Sequence, residues 1–266
     1  MVGSVTRDWL YLRVRPGRPG DEVLRALAGR LRTADRGARW AFQRLVDRDG
    51  PHLGLWLHSR PEVLRELRAA ARRTAPDDPI TRQRHTPVGT RYLGDVAART
   101  ATDLSQLSSE FALDLLAAGG PDPAVLFAVT HLAQLAELLP ARDRAAFLFQ
   151  CWLHRAAELS AETRHELMGL ARADAGAVLD AVAGQRWRPG QPAIWSDYLG
   201  RLPGVASAPG RLEPAPYVIF DHAHLTHNRL GIDAADEALA AQVVRTALLA
   251  GLEVPRMRRV ALSPAA

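Results

Sequence analysis

The apolar residues of this chain change their period partway along it, and this change limits the fold more than any other feature of the sequence. Stretches 8–16, 39–47 and 52–59 alternate apolar and polar side chains, as β-strands do. Residues 21–34 and 60–73 repeat apolar side chains at i, i+3 and i+4, as amphipathic helices do. The resulting order, β-α-β-β-α, predicts helices packed on one face of an antiparallel sheet.

Beyond this part the sequence predicts helices almost throughout. Stretches 97–118, 122–139, 141–158 and 161–183 keep the helical spacing. A segment rich in Pro and Gly, 186–216, then predicts a long loop, and loops of that length often act as lids or binding segments. The short apolar run "YVIFD" predicts a strand, and an amphipathic helix follows near the end of the chain.

These patterns together predict an α+β fold with an antiparallel sheet, packed helices and a helical middle region. A chain of 266 residues suits one large domain or two modest ones. We expect a single domain over 1–266, made of an α+β part (1–75), a helical part (95–185), a loop or lid (186–216) and a strand-helix closing segment (217–266).

Composition and charge favour an ordinary globular protein that binds neither nucleic acid nor membrane. Hydrophobic residues make up 47% of the chain and charged residues 24%. The net charge of +5 comes from arginines that are spread along predicted helices beside acidic residues, which favours a solvated, ion-paired surface. A basic face for an acidic peptide is the alternative. The single cysteine, Cys151, and the lack of a signal-peptide core or a long apolar run predict a cytoplasmic protein.

The stretch "HAHLTHNRLG", residues 222–231, holds the densest group of titratable side chains. A metal site built from His222, His224 and His227 is not expected, because the His-Glu-x-x-His pattern and a nearby cluster of cysteines or carboxylates are both missing. An acid/base or substrate-binding role suits imidazole near neutral pH. Histidines that are only hydrogen-bonded around a loop-to-helix junction are the structural alternative.

A second candidate is "WSDYLG" in the predicted loop. Ser196, Asp197 and Tyr198 bring adjacent hydroxyl and carboxyl groups, which can contribute to an active site. A turn anchored by an aromatic residue is the alternative.

Three separated stretches resemble the C-terminal, elimination-type domain of lantibiotic dehydratases and its stand-alone relatives in thiopeptide biosynthesis. In "WAFQRLVDRDGPHLGLWL" the matching residues include Trp40, Arg44 and His52, and "VGTRYLGD" keeps Arg91, Tyr92 and Gly94. In "HLTHNRLGIDAADEALA" the matches are His224, Asn228, Arg229, Leu230 and Glu237. The resemblance spans nearly the whole chain and implies an elimination-domain-like fold.

One departure from the family pattern bears directly on function. Eliminases of this family resemble one another in two arginines at i and i+2 of a strand, which face the same way and can bind the carboxylates of a glutamylated substrate. Gly54 and Trp56 stand at those positions here. The loss of two charge-assisted contacts, worth roughly 1.5–3 kcal/mol each, is expected to cripple glutamate recognition.

The branch of the family with this divergence is the thiopeptide pyridine synthases. They join two dehydroalanines of one azole-rich peptide by a formal [4+2] cycloaddition, and water and the leader peptide are lost as the ring becomes aromatic. The resemblance implies an enzyme of this kind, a lyase or cyclase that acts on a modified precursor peptide with no cofactor and no metal. Two alternatives are a stand-alone glutamate-eliminating subunit and a non-catalytic scaffold that binds the precursor.

Roles for individual residues follow from this resemblance. His224 and Tyr198 are expected to be catalytic, as proton shuttle and hydroxyl donor. Trp56 is expected to offer an apolar wall for azole rings. The other residues expected to bind substrate are Arg44, Arg91, Tyr92, Ser196, Asp197, Asn228 and Arg229.

Overall fold

The computed structural model describes residues 6–14, 18–74, 95–207 and 216–254. Within these ranges the chain forms three strands and ten helices, so the predicted α+β class is confirmed. The contacts divide the chain into two compact units, Met1–Leu113 and Asp114–Ala266. A single domain over 1–266 therefore stays a prediction.

The first unit has the element order that the sequence predicts. Its elements are β1 (Asp8–Val14), α1 (Arg18–Ala34), β2 (Arg39–Asp47), β3 (Gly50–Ser59) and α2 (Pro61–Thr74). The sheet order is β1-β3-β2 and both pairings are antiparallel, so β3 is the central strand. The hairpin register pairs Asp47 with Gly50, and Gly50 has the positive φ of 99° that a tight turn requires.

The two faces of this sheet carry different side chains because neighbours along a strand point to opposite sides. Leu53, Leu55 and Leu57 of β3 are almost completely buried on one face, and helices α1 and α2 contact the sheet. His52, Gly54 and Trp56 alternate with them and share the other face.

Helices make up the rest of the described chain. The helix α3 (Asp95–Ala117) ends just beyond the first unit, and the second unit is formed mainly by the seven helices that follow. They are α4 (Ala124–Glu137), α5 (Ala141–Ala156), α6 (Ala161–Ala173), α7 (Ala175–Gly184), α8 (Gln191–Ala206), α9 (Pro216–Leu230) and α10 (Ala234–Leu249). The stretch 161–183, predicted as one helix, is divided at Asp174 into α6 and α7.

The helix α10 lies at the centre of the second unit and contacts α4, α5, α6 and α7. Small residues allow this crowding: Ala238, Ala240, Ala241 and Ala247 are fully buried. Close packing of several helices around one is possible because an alanine face lets backbones approach.

The prediction of a loop at 186–216 is wrong for its larger part, because α8 occupies Gln191–Ala206. Pro192 lies in the first turn, where a missing N–H costs no helical hydrogen bond. Residues 191, 195, 198, 202 and 206 are buried at helical spacing, so packing of this face outweighs the Pro and Gly content. Residues 208–215 lie outside the described ranges.

The predicted strand "YVIFD" and the strand-helix closing segment are also wrong, since α9 runs from Pro216 through the histidine stretch to Leu230. Val218, Ile219, His222, Ala223 and Thr226 are buried, a helical spacing that puts them on one side. The β-branched and aromatic residues favour a strand locally, but tertiary burial decides the outcome.

A tight turn joins α9 to α10. The N–H of Gly231 donates to the Asn228 carbonyl at 3.1 Å and that of Ile232 to the His227 carbonyl at 3.0 Å, the pattern of a Schellman cap with Gly231 at a positive φ of 76°. Asp233 then caps α10 by accepting from the Asp236 N–H at 2.8 Å. This turn brings the end of α9 against the first turn of α10.

Candidate active site

Two histidines and one carboxylate lie together where α9 meets α10. His224 Nδ1 lies 3.6 Å from Glu237 Oε2, and His227 Nδ1 lies 3.3 Å from Glu237 Oε1. The two histidines are three residues apart on α9, so a helix turns both towards the same carboxylate. Glu237 comes four residues after the Asp233 cap and is 1% exposed.

Glu237 is an ionised group in the interior. Burial alone would raise the pKa of its carboxyl, but the positive charge of His227 in acid and the close contacts of both histidines outweigh burial and lower the pKa to about 2. Arg155 of α5 adds a further cation, with its Nε 2.9 Å from Glu237 Oε2. The carboxylate thus stays charged at neutral pH and can orient an imidazole.

Of these two histidines, His224 is the one that solvent reaches. Its side chain is 23% exposed, whereas that of His227 is fully enclosed. The ring of His154, an exposed residue of α5, meets the His224 ring edge-on with 4.9 Å between centroids. Burial, together with the charges of His224 and Arg155, lowers the pKa of His154. His224 is therefore a carboxylate-oriented imidazole with access from outside, which is what a general acid or base requires.

His227 continues, away from His224, into a buried chain of three histidines and a tyrosine. His131 Nδ1 of α4 is 3.0 Å from His227 Nε2, and His131 Nε2 is 2.9 Å from the Tyr198 hydroxyl. The same hydroxyl is 2.5 Å from His222 Nε2. Together with Glu237 and His224 these side chains form a continuous polar chain through α9, α10, α4 and α8.

The buried chain disfavours charge. Burial, strengthened by the neighbouring His227 and His222, moves the pKa of His131 well below its usual value, so this imidazole is neutral near pH 7. Burial also raises the pKa of Tyr198, which keeps its hydrogen. The fully buried Arg229 has its pKa lowered to about 9 by burial, against the effect of Tyr198, and remains a cation near pH 7.

Gly54 and Trp56, the two positions where the resemblance predicts a loss of arginine, are packed together in the first unit. The Trp56 ring lies over Gly54: a Cβ atom built on Gly54 would lie 3.0 Å from Trp56 Cη2 and 3.0 Å from Tyr11 Cε2. A methyl group of Leu45 would be 2.8 Å away. The rings of Trp56 and Tyr11 have centroids 5.0 Å apart, and the Tyr11 hydroxyl is 3.2 Å from His52 Nε2. Any side chain at position 54 would have to displace these neighbours.

The remaining predicted residues are scattered. On the helix α8, successive residues point in directions about 100° apart, so Ser196, Asp197 and Tyr198 do not form one group in a loop. Asp197 is exposed and pairs with Arg201 at 3.5 Å, while Tyr198 is enclosed. Asn228 is half-buried on α9, and Arg44 is half-buried on β2. Arg91 and Tyr92 lie outside the described residues.

Comparison with known proteins now places the chain in a family. A family model described as "Lantibiotic biosynthesis dehydratase C-term" matches residues 9–248. The chain belongs to this family. Among curated proteins none matches it.

Solved structures of this lantibiotic dehydratase type share the fold. TsrL superposes with a TM-score of 0.60 at 16% identity, over 91% of this chain and 94% of TsrL. The pyridine synthase TbtD from thiomuracin biosynthesis gives 0.57 at 16% identity, over 91% of this chain and 98% of TbtD. MibB, a tRNA-dependent lantibiotic dehydratase from Microbispora sp. 107891, gives 0.59 at 21% identity over 94% of this chain but only 28% of MibB.

Sequence reasoning missed several groups that surround His224 in this family member. The sequence indicates Glu237 only as a residue that matches a family motif. It gives no role to Arg155, His154 or His131. His131 lies in the largely apolar stretch "AVLFAVTHLAQLAE", where a titratable residue on a buried helical face is the signal that could have found it. Cys151, the single cysteine of the chain, is buried.

Other kinds of site are not evident in the described ranges. No three His, Cys, Asp or Glu side chains in these ranges are placed to hold a metal ion. None of the helices in the described ranges is long and apolar enough to cross a bilayer. A cavity of about 620 Å³ lies among α4, α5 and the end of α10, but its described lining contains none of the predicted site residues.

Proposed function

We propose that this protein forms a pyridine ring in a precursor peptide by a formal [4+2] cycloaddition of two dehydroalanines, with loss of water and of the leader peptide. Membership of the lantibiotic dehydratase C-terminal family supports a precursor peptide as the partner. The likeness to TbtD, a pyridine synthase, supports the fold that such an enzyme uses.

The packing of Trp56 on Gly54 is the observation that carries the proposal. An eliminase of this family needs two cationic side chains on this face to bind the substrate glutamate. Here one position has no side chain and the other has an indole, and the space above Gly54 is filled by Trp56, Tyr11 and Leu45. These two positions therefore provide no cation for a substrate carboxylate, and Arg13, which lies opposite Gly54 on β1, already pairs with Asp47 and Asp49. Trp56 is 8% exposed, so only part of its indole is open to stacking with azole rings.

The proposed reaction requires two contributions from the protein, which are positioning of the two alkenes and transfer of protons. Proximity of two alkenes held in one pocket can supply about 7–11 kcal/mol of the barrier. A proton must also move when the amide tautomerises to the imidic acid that acts as part of the diene. The cycloadduct then loses one water and one leader amide, and the ring becomes aromatic with no external oxidant. We assign the proton transfers to His224, because it is reachable and oriented by Glu237.

Tyr198 receives a different role from the one its sequence suggested. Its hydroxyl is enclosed between His131 and His222, with 1% of the residue exposed, so we propose that it positions these groups and does not donate directly to the peptide. Trp56, Arg44, Arg91, Tyr92, Ser196, Asp197, Asn228 and Arg229 remain proposed substrate-binding residues, of which Arg229 is fully buried and better suited to supporting α9.

Mass spectrometry with two matched substrates tests the proposal. A leader-bearing peptide with azoles and two dehydroalanines should yield a product lighter by water and the leader amide, with the absorption of a substituted pyridine. The same precursor carrying glutamylated serines should be left unchanged. Consumption of the glutamylated peptide with release of glutamate would identify an eliminase, and tight binding of both peptides without turnover would identify a scaffold.

A further inference from the structure

The buried chain behind His224 can be assigned one direction of hydrogen bonding from its distances. Glu237 is a carboxylate and only accepts, so the contact of His227 Nδ1 with Oε1, 3.3 Å away, is favourable when Nδ1 carries hydrogen. If His227 is neutral, its Nε2 is then an acceptor. The donor to it is His131 Nδ1, 3.0 Å away, which leaves His131 Nε2 as an acceptor.

The tyrosine hydroxyl continues the chain in the same direction. Tyr198 has one hydrogen, and its oxygen lies 2.9 Å from His131 Nε2 and 2.5 Å from His222 Nε2. Because His131 Nε2 has no hydrogen in this scheme, Tyr198 donates to it and accepts from His222. Thr226 also contacts Tyr198, but it donates its own hydrogen to the His222 carbonyl at 2.7 Å.

The competing arrangement puts another positive charge into the interior. If Tyr198 donated instead to His222 or to Thr226, His131 would present Nε2–H to Tyr198, and His227 would have to donate from both nitrogens as a cation. Glu237 already has Arg155 Nε at 2.9 Å, and Arg229 is a further buried guanidinium on α9. An extra buried cation beside these two guanidinium groups is costly, so the neutral arrangement is favoured.

We propose that His131, Tyr198 and His222 are positioning residues that hold His227 neutral, with its proton on Nδ1, so that the charge of Glu237 acts on His224 and Arg155. A cationic His227 beside Arg155 would place two positive charges against the single carboxylate of Glu237, and less of its negative charge would act on His224. The chain thereby connects a tyrosine on α8 to an imidazole that solvent reaches on α9. Its consequence for turnover rests on the function proposed above, but the proton positions themselves do not.

Long-range ¹H–¹⁵N spectra of ¹⁵N-histidine-labelled protein at pH 7 test the assignment without any substrate, because they show which ring nitrogen carries hydrogen. We expect His131 and His227 protonated on Nδ1 only and His222 on Nε2 only. A doubly protonated His227, or a His131 protonated on Nε2, would overturn the proposal. Single His→Gln variants assign the signals.

Three conservative variants sharpen the test. Tyr198→Phe removes both the hydrogen given to His131 and the oxygen that accepts from His222, so His131 and His227 should lose their single tautomers. Tyr11→Phe removes another buried tyrosine–histidine contact, 3.2 Å from His52 Nε2 in the first unit, and should leave the signals of His131, His222 and His227 unchanged. Thr226→Val should also leave the tautomers unchanged, and a changed tautomer at His131 would favour the competing arrangement.

Turnover separates positioning from folding. Tyr198→Phe should slow cyclisation by less than the roughly 10²–10⁴-fold expected for loss of a general acid or base, change its pH profile, and keep KM near that of the wild type. If the spectra show the expected tautomers while no peptide is cyclised, the proposed function fails and the positioning chain stands. A Tyr198→Phe variant with altered tautomers but an unchanged pH profile would show that the chain does not act on His224. If that variant does not fold, the wild-type spectrum alone decides the assignment.

Discussion

Replacement of Glu237 by Gln removes the charge at the centre of the candidate site while keeping its size. The native carboxyl has a pKa of about 2 against an ordinary 4.5. Since one pKa unit corresponds to 1.36 kcal/mol, this difference amounts to about 3 kcal/mol of folding free energy. The figure agrees with the roughly 3–5 kcal/mol lost when one partner of a buried ion pair is removed. Because part of this shift comes from a cationic His227, we expect Glu237→Gln to destabilise the protein at pH 7 by up to about 3 kcal/mol.

Thermal unfolding at pH 7 measures this effect. For a protein of this size, about 3 kcal/mol corresponds to a fall in Tm of roughly 6–12 °C. Glu158→Gln is the matched control, because Glu158 pairs with the same Arg155 at 2.6 Å but is 53% exposed. An exposed pair contributes no more than about 1 kcal/mol, so this control should shift Tm by only a few degrees.

The pH dependence gives a second readout of the same substitution. A carboxyl whose pKa is lowered on folding contributes its full stabilisation above the unfolded value of 4.5, and this is lost as the pH falls towards 2. The wild type should lose its advantage over Glu237→Gln across that interval. Equal Tm values for Glu237→Gln and Glu158→Gln at pH 7, or a constant difference between Glu237→Gln and the wild type from pH 7 to pH 2, would refute the reasoning.

Four further outcomes are expected. His224→Ala should slow cyclisation by about 10²–10⁴-fold with little change in peptide affinity, measured by single-turnover mass spectrometry and fluorescence anisotropy, and a full rate would remove His224 from the mechanism. Gly54→Ala should destabilise by about 1–3 kcal/mol because its Cβ meets Trp56, Tyr11 and Leu45, whereas Gly169→Ala, with nothing within 4 Å on an exposed helix, should be neutral or stabilising in denaturant melts. A chelator should leave the rate intact, and loss that zinc restores would revive a histidine metal site. Leader affinity should weaken with rising salt if an arginine-bearing face binds an acidic leader, and constant affinity would indicate an apolar groove.

The first unit could be predicted from the sequence because its signals are local. Strand alternation in 39–47 and 52–59 and the intervening turn residues determine the β2–β3 hairpin, which the structure reproduces with β2 at the predicted bounds. The helices before residue 185 follow from apolar spacing that is visible in any short window. The resemblance that placed the chain in its family likewise depends on residues in three short motifs.

The site in the second unit could not be predicted in the same way. Pro192, Pro203 and Gly200 lie near Tyr198 in sequence, and they led to the prediction of a loop. The segment is instead a helix, because one of its faces is buried, and Tyr198 lies on that face. "YVIFD" has the propensity of a strand, but Val218 and Ile219 are buried on the same helical side as His222. Local preferences of a few tenths of a kcal/mol per residue are outweighed by burial of several large side chains.

The α+β class, the hairpin that presents Gly54 and Trp56, the family, and the interest of His224 all follow from residue patterns along the chain. The side chains around His224 follow from helix packing: Glu237 comes after α9 by a short turn, but Arg155, His131 and Tyr198 come from three other helices. Contacts between residues as far apart as His131 and His227, which are 96 positions apart, leave no periodic trace in the sequence. Whether a histidine there is exposed, enclosed or paired with a carboxylate depends on how helices pack, and packing is a property of the whole chain.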